Sequence, residues 1–236
     1  MALSPVVTPP VAPPIRLTLV EPTDRYAHGV LGDAIEWGAI RGTTPDGETA
    51  FTYSLPPDRV FEDIDLRIAR LGDDPHDHRA NKAVVVESRL DLGARLSVYG
   101  FDAKGIRLIA ATPFIGRPNR WLAPAGIGDF DGDGFDDIAY VETPHLSGTL
   151  KVVTLRGDAL VPVAAPKSGF SNHRIGQPFI TGGVRECRET VELLLPDLSH
   201  RTLMTVRVRN GEILSRPLPF HPTPLGIERA RECGEW

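Results

Sequence analysis

Val84-Val-Val-Glu-Ser-Arg-Leu-Asp-Leu-Gly93, running on into Arg95-Leu-Ser-Val-Tyr99, has a second copy in Ile138-Ala-Tyr-Val-Glu-Thr-Pro-His-Leu-Ser-Gly148, running on into Thr149-Leu-Lys-Val-Val153. The copies align Glu87 with Glu142. Each is a short run of β-branched and aromatic residues, a turn, and a second short run, which reads as strand, hairpin, strand. A fainter copy runs from Val191 through Leu-Leu-Leu-Pro-Asp197 to Thr202-Leu-Met-Thr-Val206. A unit repeated in this way buries its apolar faces by stacking on its neighbours.

A second recurring mark is a polar residue followed by arginine, at Asp24-Arg25, Asp58-Arg59, Asn119-Arg120 and His173-Arg174. Small-residue strands are expected to follow at Val30-Leu-Gly-Asp33, Arg70-Leu-Gly-Asp73 and Gly126-Ile-Gly-Asp129, with Gly182-Gly-Val-Arg185 as a degenerate fourth. Units therefore start near residues 25, 59, 120 and 174. Their length is roughly that of a four-stranded propeller blade, and small residues suit the crowded strand nearest a propeller axis. The expected fold is all-β: a small β-propeller of four to five blades. Residues 1–14 form a proline-rich tether and residues 15–236 one domain. The end segments Arg16 to Val20 and Gly226 to Gly234 are expected to pair as a closing partial blade.

The rest of the chain agrees with that pattern. Strand-like runs recur at Arg16 to Val20, Thr49 to Leu55, Leu96 to Phe101, Ile106 to Ala110, Leu150 to Leu155 and Leu203 to Val208. The 22 prolines and 23 glycines fall between such runs, leaving no room for long helices. With a net charge of −5 and no basic run, nucleic acid is not an expected partner. No stretch reaches the length a membrane helix needs.

One loop carries chemistry. Asp129-Phe-Asp-Gly-Asp-Gly-Phe-Asp-Asp137 sets carboxylates at its first, third, fifth and ninth positions. Calcium takes six to eight oxygens, and this spacing wraps Asp129, Asp131, Asp133, Asp137 and the backbone carbonyl of Phe135 around one ion. An EF-hand would need a bidentate Glu where Tyr140 stands, and no helix flanks the loop.

This loop, joining a small-residue strand to an apolar one, resembles the FG-GAP or VCBS repeat of integrin-like propellers. One copy matches that motif in full. In the second unit Asp73, Asp77 and Asn81 align with it, but Pro75 stands at a ligand position; in the fourth, Arg185-Glu-Cys-Arg-Glu-Thr190 is too basic for calcium. The resemblance implies a structural calcium ion and an exported protein, periplasmic or extracellular, whose leader is not in this sequence. Its partner would be a protein or a glycan.

Other signals are weaker. Cys187 and Cys233 read either as a disulfide or as two free thiols. His76 and His78 lie on opposite faces if in a strand and have no third metal ligand nearby. Glu87, Glu142 and His145 at strand ends would suit acid–base work by a hydrolase or lyase on an envelope polysaccharide, or else serve structure alone. Trp37, Trp121 and Tyr26 lie near unit starts, where packing between units explains them as well as a ligand surface does. No nucleophile elbow, phosphate loop or dinucleotide motif occurs, so the sequence names no reaction and a binding or scaffolding module is the leading expectation.

Overall fold

The computed structural model describes residues 15–72, 81–102 and 104–234. Its regular structure is antiparallel β-sheet and, among the described residues, one short helix. Arg16–Thr23 (β1), Glu36–Thr43 (β2) and Thr49–Ser54 (β3) form a first group with β2 in the middle. The short Arg59–Phe61 (β4) joins β2 to a meander of Arg67–Ala69 (β5), Lys82–Arg89 (β6), Gly93–Asp102 (β7) and Gly105–Ala111 (β8). Two further four-stranded meanders follow. One holds Leu122–Gly128 (β9), Asp137–Glu142 (β10), Thr149–Arg156 (β11) and Ala159–Pro162 (β12). The other holds Gly183–Cys187 (β13), Thr190–Pro196 (β14), Leu203–Arg209 (β15) and Glu212–Pro217 (β16).

The repeated apolar runs become strands buried on both faces, which is why they do not alternate with polar residues. Ala83 and Val85 of β6 pack with Leu17 and Ile40 of the first group and with Phe61 of β4, while Val84 and Val86 turn to Leu122, Ile138 and Tyr140 of the third. Ala139 and Val141 of β10 pack in turn with Leu193 and Leu195 of β14. Successive sheets thus stack face to face, each contributing alternate side chains to the layer on either side.

Gly126 and Gly128 of β9 sit where this stack is tightest. A Cβ on Gly126 would collide with Val184, and one on Gly128 would come within 3.0 Å of Val191. Small residues here let neighbouring sheets approach.

Residues at or beside the links between units tie them together. Arg25 Nε donates to the Arg59 carbonyl (2.8 Å), the Asn119 amide to the Tyr26 hydroxyl (3.0 Å), and Asn172 Nδ2 to the Pro124 carbonyl (3.0 Å). The Gly176 amide donates to the Val30 carbonyl (2.9 Å), joining the last unit to the first.

Two expectations are corrected. Val30 to Asp33 is a turn and bend rather than a strand, and Arg70 to Gly72 likewise lies beyond the end of β5. The C-terminal segment does not pair with β1, whose partner is β2. Instead Pro224–Arg231 forms a helix (α1), begun by Thr223, whose hydroxyl accepts the Gly226 amide, and by Pro224 in its first turn. The helix lays Ala230 and Ile227 on Leu194, Leu203 and Leu218, covering the outer face of the last sheet. A single stripe of small and apolar residues suffices for that task, and it carries no strand periodicity. Among the described residues, no helix is long and apolar enough to cross a membrane.

Candidate metal-binding loop

The loop from Asp129 to Asp137 connects β9 to β10, and Gly128 pairs with Asp137 at its base. Gly132 and Gly134 have φ of 81° and 89°, which side chains with a Cβ rarely adopt. The Asp129 carboxylate organises the turn: Oδ1 accepts the amides of Gly132 (2.7 Å) and Asp133 (3.0 Å), and Oδ2 accepts that of Gly134 (2.9 Å). Asp137 Oδ2 accepts the Phe130 amide (3.1 Å), while its Oδ1 is buried without a hydrogen-bond partner.

One carboxylate oxygen from each of Asp129, Asp131 and Asp137 falls within 4.8 Å of the others. Burial, and then the negative charge of Asp131, push the Asp137 carboxyl up to about 7. Burial first, then the charges of Asp133 and Asp129, also raise Asp131. These groups are held together against their own repulsion. A hard cation would reverse that balance and give the unpaired Asp137 oxygen a partner, so the cluster could hold a metal ion. Asp133 stands apart from the trio, its carboxylate held by Arg156, whose guanidinium lies 5.2 Å from the centre of the Phe135 ring.

The other candidates separate. Asp73, Asp77, His76 and His78 lie outside the described residues, and Asn81 Oδ1 accepts the Lys82 ammonium (2.7 Å). In the fourth unit Arg185 pairs with buried Glu192, and Cys187 is bonded to Cys233. Glu87 is fully buried between Arg59 (2.9 Å) and Arg95 (2.8 Å), with Ser97 and Tyr99 donating to it. Glu142 pairs with Lys151 (2.7 Å). Neither repeated glutamate is seen to meet His145: Glu87 is enclosed by its ion pairs, and Glu142 lines a separate cavity with Lys151 and Tyr140. Trp121 is buried, its Nε1–H donating to the Glu62 carbonyl (2.9 Å), and Trp37 lies opposite Phe61 in register.

No protein-family model and no curated protein matches the sequence. Among solved structures, the chain is similar to the periplasmic gluconolactonase of Pseudomonas aeruginosa. The identity is 17% and the TM-score 0.41, over 82% of this chain and 50% of that one. It is similar also to a Bacteroides caccae protein of unknown function (14% identity, TM-score 0.39, 91% and 64% covered). A third is the WD40 domain of SCAP from fission yeast (13%, 0.39, 89% and 46%). The chain spans less than two thirds of each of these structures. Likeness at this level fixes neither family nor activity.

A second polar cluster joins His145, Trp121 and His173, which the sequence reading named, to residues that it did not. Buried Glu62 takes His28 Nδ1 on Oε1 (2.5 Å) and the Ser88 hydroxyl on Oε2. Nearby, Glu36 is buried with Oε1 unpaired, and burial followed by the Glu62 charge pushes it up to about 9. His173 Nε2 donates to the Gln177 carbonyl (2.8 Å), so its Nδ1 is the acceptor for His145 Nε2–H at 2.9 Å. Burial, then the neighbouring His173, lower His145 to about 4, and Trp121 stacks on its ring. His28 and Glu62 stand at the same place in their units, three residues past Arg25 and Arg59, while the other residues share no such spacing. Only the fold brings them together.

Proposed function

We propose that the chain is a small calcium-stabilised β-propeller of the FG-GAP/VCBS type, acting outside the cytoplasm as a rigid module that binds a protein or a glycan. The observation that carries this reading is the Asp129, Asp131 and Asp137 trio with its buried, unpaired Asp137 oxygen. Asp133 and the Phe135 carbonyl complete the ligand set, as calcium's demand for six to eight oxygens requires. The ion is structural: it ties the β9–β10 turn, and binding only the folded chain it adds stability by mass action. The stacked four-stranded meanders support the propeller, with residues 15–236 as one domain and the proline-rich residues 1–14 as a tether. The Cys187–Cys233 bond supports an oxidising compartment, where such bonds persist.

A second reading is favoured by the Glu62–His28 pair. A buried carboxylate fixing one imidazole nitrogen leaves the other for acid–base work, as a hydrolase or lyase on polysaccharide would need. Incubating the protein with a panel of envelope polysaccharides and measuring both co-sedimentation and new reducing ends separates the two. Retention without cleavage supports the binding module. Cleavage that disappears in His28→Gln contradicts it and supports the enzyme.

A further inference from the structure

Where α1 lies on the last sheet, it leaves a groove against the link of residues 174–182. This cavity of about 620 Å³ is as large as a small-molecule site. Arg174 reaches it from the link and Arg231 from the last turn of α1. Among the described residues neither guanidinium is in an ion pair or a hydrogen bond. Glu228, one turn before Arg231, is the single acidic residue in the lining, so the groove carries one net positive charge in a chain whose net charge is −5. The N-terminus of α1, with Thr223 as its cap, opens into the same space and adds partial positive charge.

The remaining wall is apolar. Phe179 is 52% exposed although aromatic, and Ile227 and two prolines flank it. Phe179, Ile227, Ile180 and the two prolines give the groove a continuous apolar wall that shares its space with the two arginines.

We propose that this groove binds a small organic monoanion, a carboxylate on an aliphatic or aromatic body. The guanidinium forks match a carboxylate in shape and charge, and Phe179 and Ile227 cover the apolar body. Glu228 sets the charge selection, because a second negative charge on the ligand would meet its carboxylate. The site is independent of the calcium loop, which lies at the β9–β10 turn.

Amide-resolved NMR titration tests this with octanoate and phenylacetate against octanol and phenylethanol, whose bodies match but carry no charge. Both arginines are exposed, so Arg174→Gln and Arg231→Gln keep the fold, which is checked by melting. The acids are expected to bind saturably and shift Thr181, Gly182, His200 and Ile227, with the alcohols weaker by about tenfold. Each variant weakens the acids by about tenfold and leaves the alcohols unchanged, while Arg41→Gln changes nothing. The proposal is overturned if neither acid binds saturably, if acids and alcohols bind alike, if the shifts lie elsewhere, or if both arginine variants bind the acids as the parent does.

Discussion

Arg156 holds the carboxylate of Asp133 away from the trio formed by Asp129, Asp131 and Asp137. On the proposed reading, calcium must draw Asp133 out of that ion pair, and the nearby guanidinium also repels the ion. Both effects oppose binding. The pair is about one-third exposed on each side, so its strength is that of a surface salt bridge, well under 1 kcal/mol to about 1 kcal/mol. Arg156→Ala should therefore tighten calcium binding by about two- to fivefold, measured by isothermal titration. Weaker binding in this variant would mean that Arg156 supports the loop rather than competing with the ion.

Glu36 makes the pH dependence of stability unusual. Its carboxyl is raised from 4.5 to about 9. Between these values the folded chain keeps a proton that the unfolded chain has released, so stability falls as pH rises through that window. Glu36→Gln keeps the shape and removes the titration. It should flatten the decline seen in urea unfolding between about pH 5 and 9 and raise stability near pH 8. Equal slopes in parent and variant would show that Glu36 is already ionised in the folded protein.

Gly126 tests the stacking of the sheets. A valine there would drive its side chain into Val184 and Leu193, forcing β9 away from the next meander. Overpacking of this kind costs about 1–3 kcal/mol, and the urea midpoint of Gly126→Val should fall accordingly. An unchanged midpoint would place the two sheets further apart than described.

How far the sequence could be read depends on how local each signal is. The strands of the repeats were legible because burial on both faces makes them continuous apolar runs, as in Val84 to Val86 and Leu193 to Leu195. β2 was missed because Gly38 and Gly42 interrupt its pattern; across the pair, the Phe51 ring fills the space over Gly42. α1 was missed because only Ala230 and Gly226 of its residues are buried, too sparse a stripe to reveal a helical period. The aspartate loop was legible in full as a motif. The separation of Asp133 was not, since it depends on Arg156 from a neighbouring strand. His28 and Glu62 stand 34 residues apart, the same separation as Arg25 and Arg59, but nothing local marks them as partners, and Glu36 joins them only through the fold.

The Cys187–Cys233 bond ties the β13–β14 hairpin to the end of α1 across a sequence separation of 46. Closing a loop of that length restricts the unfolded chain and stabilises by about 2–4 kcal/mol. Thiol titration of denatured, unreduced protein should find no free thiol, and Cys187→Ser should lower the melting temperature. Two titratable thiols would contradict the bond and remove one support for an oxidising compartment.

The calcium ion is the centre of the account, and thermal melting with calcium and with chelator tests it most directly, on the parent and on Asp137→Asn. The parent should melt higher with calcium by an amount that grows with free ion concentration, as binding to the folded state alone demands. Asp137→Asn removes the charge from the buried ligand and should melt at one temperature under both conditions. A parent melting curve that calcium and chelator leave unchanged would contradict the site.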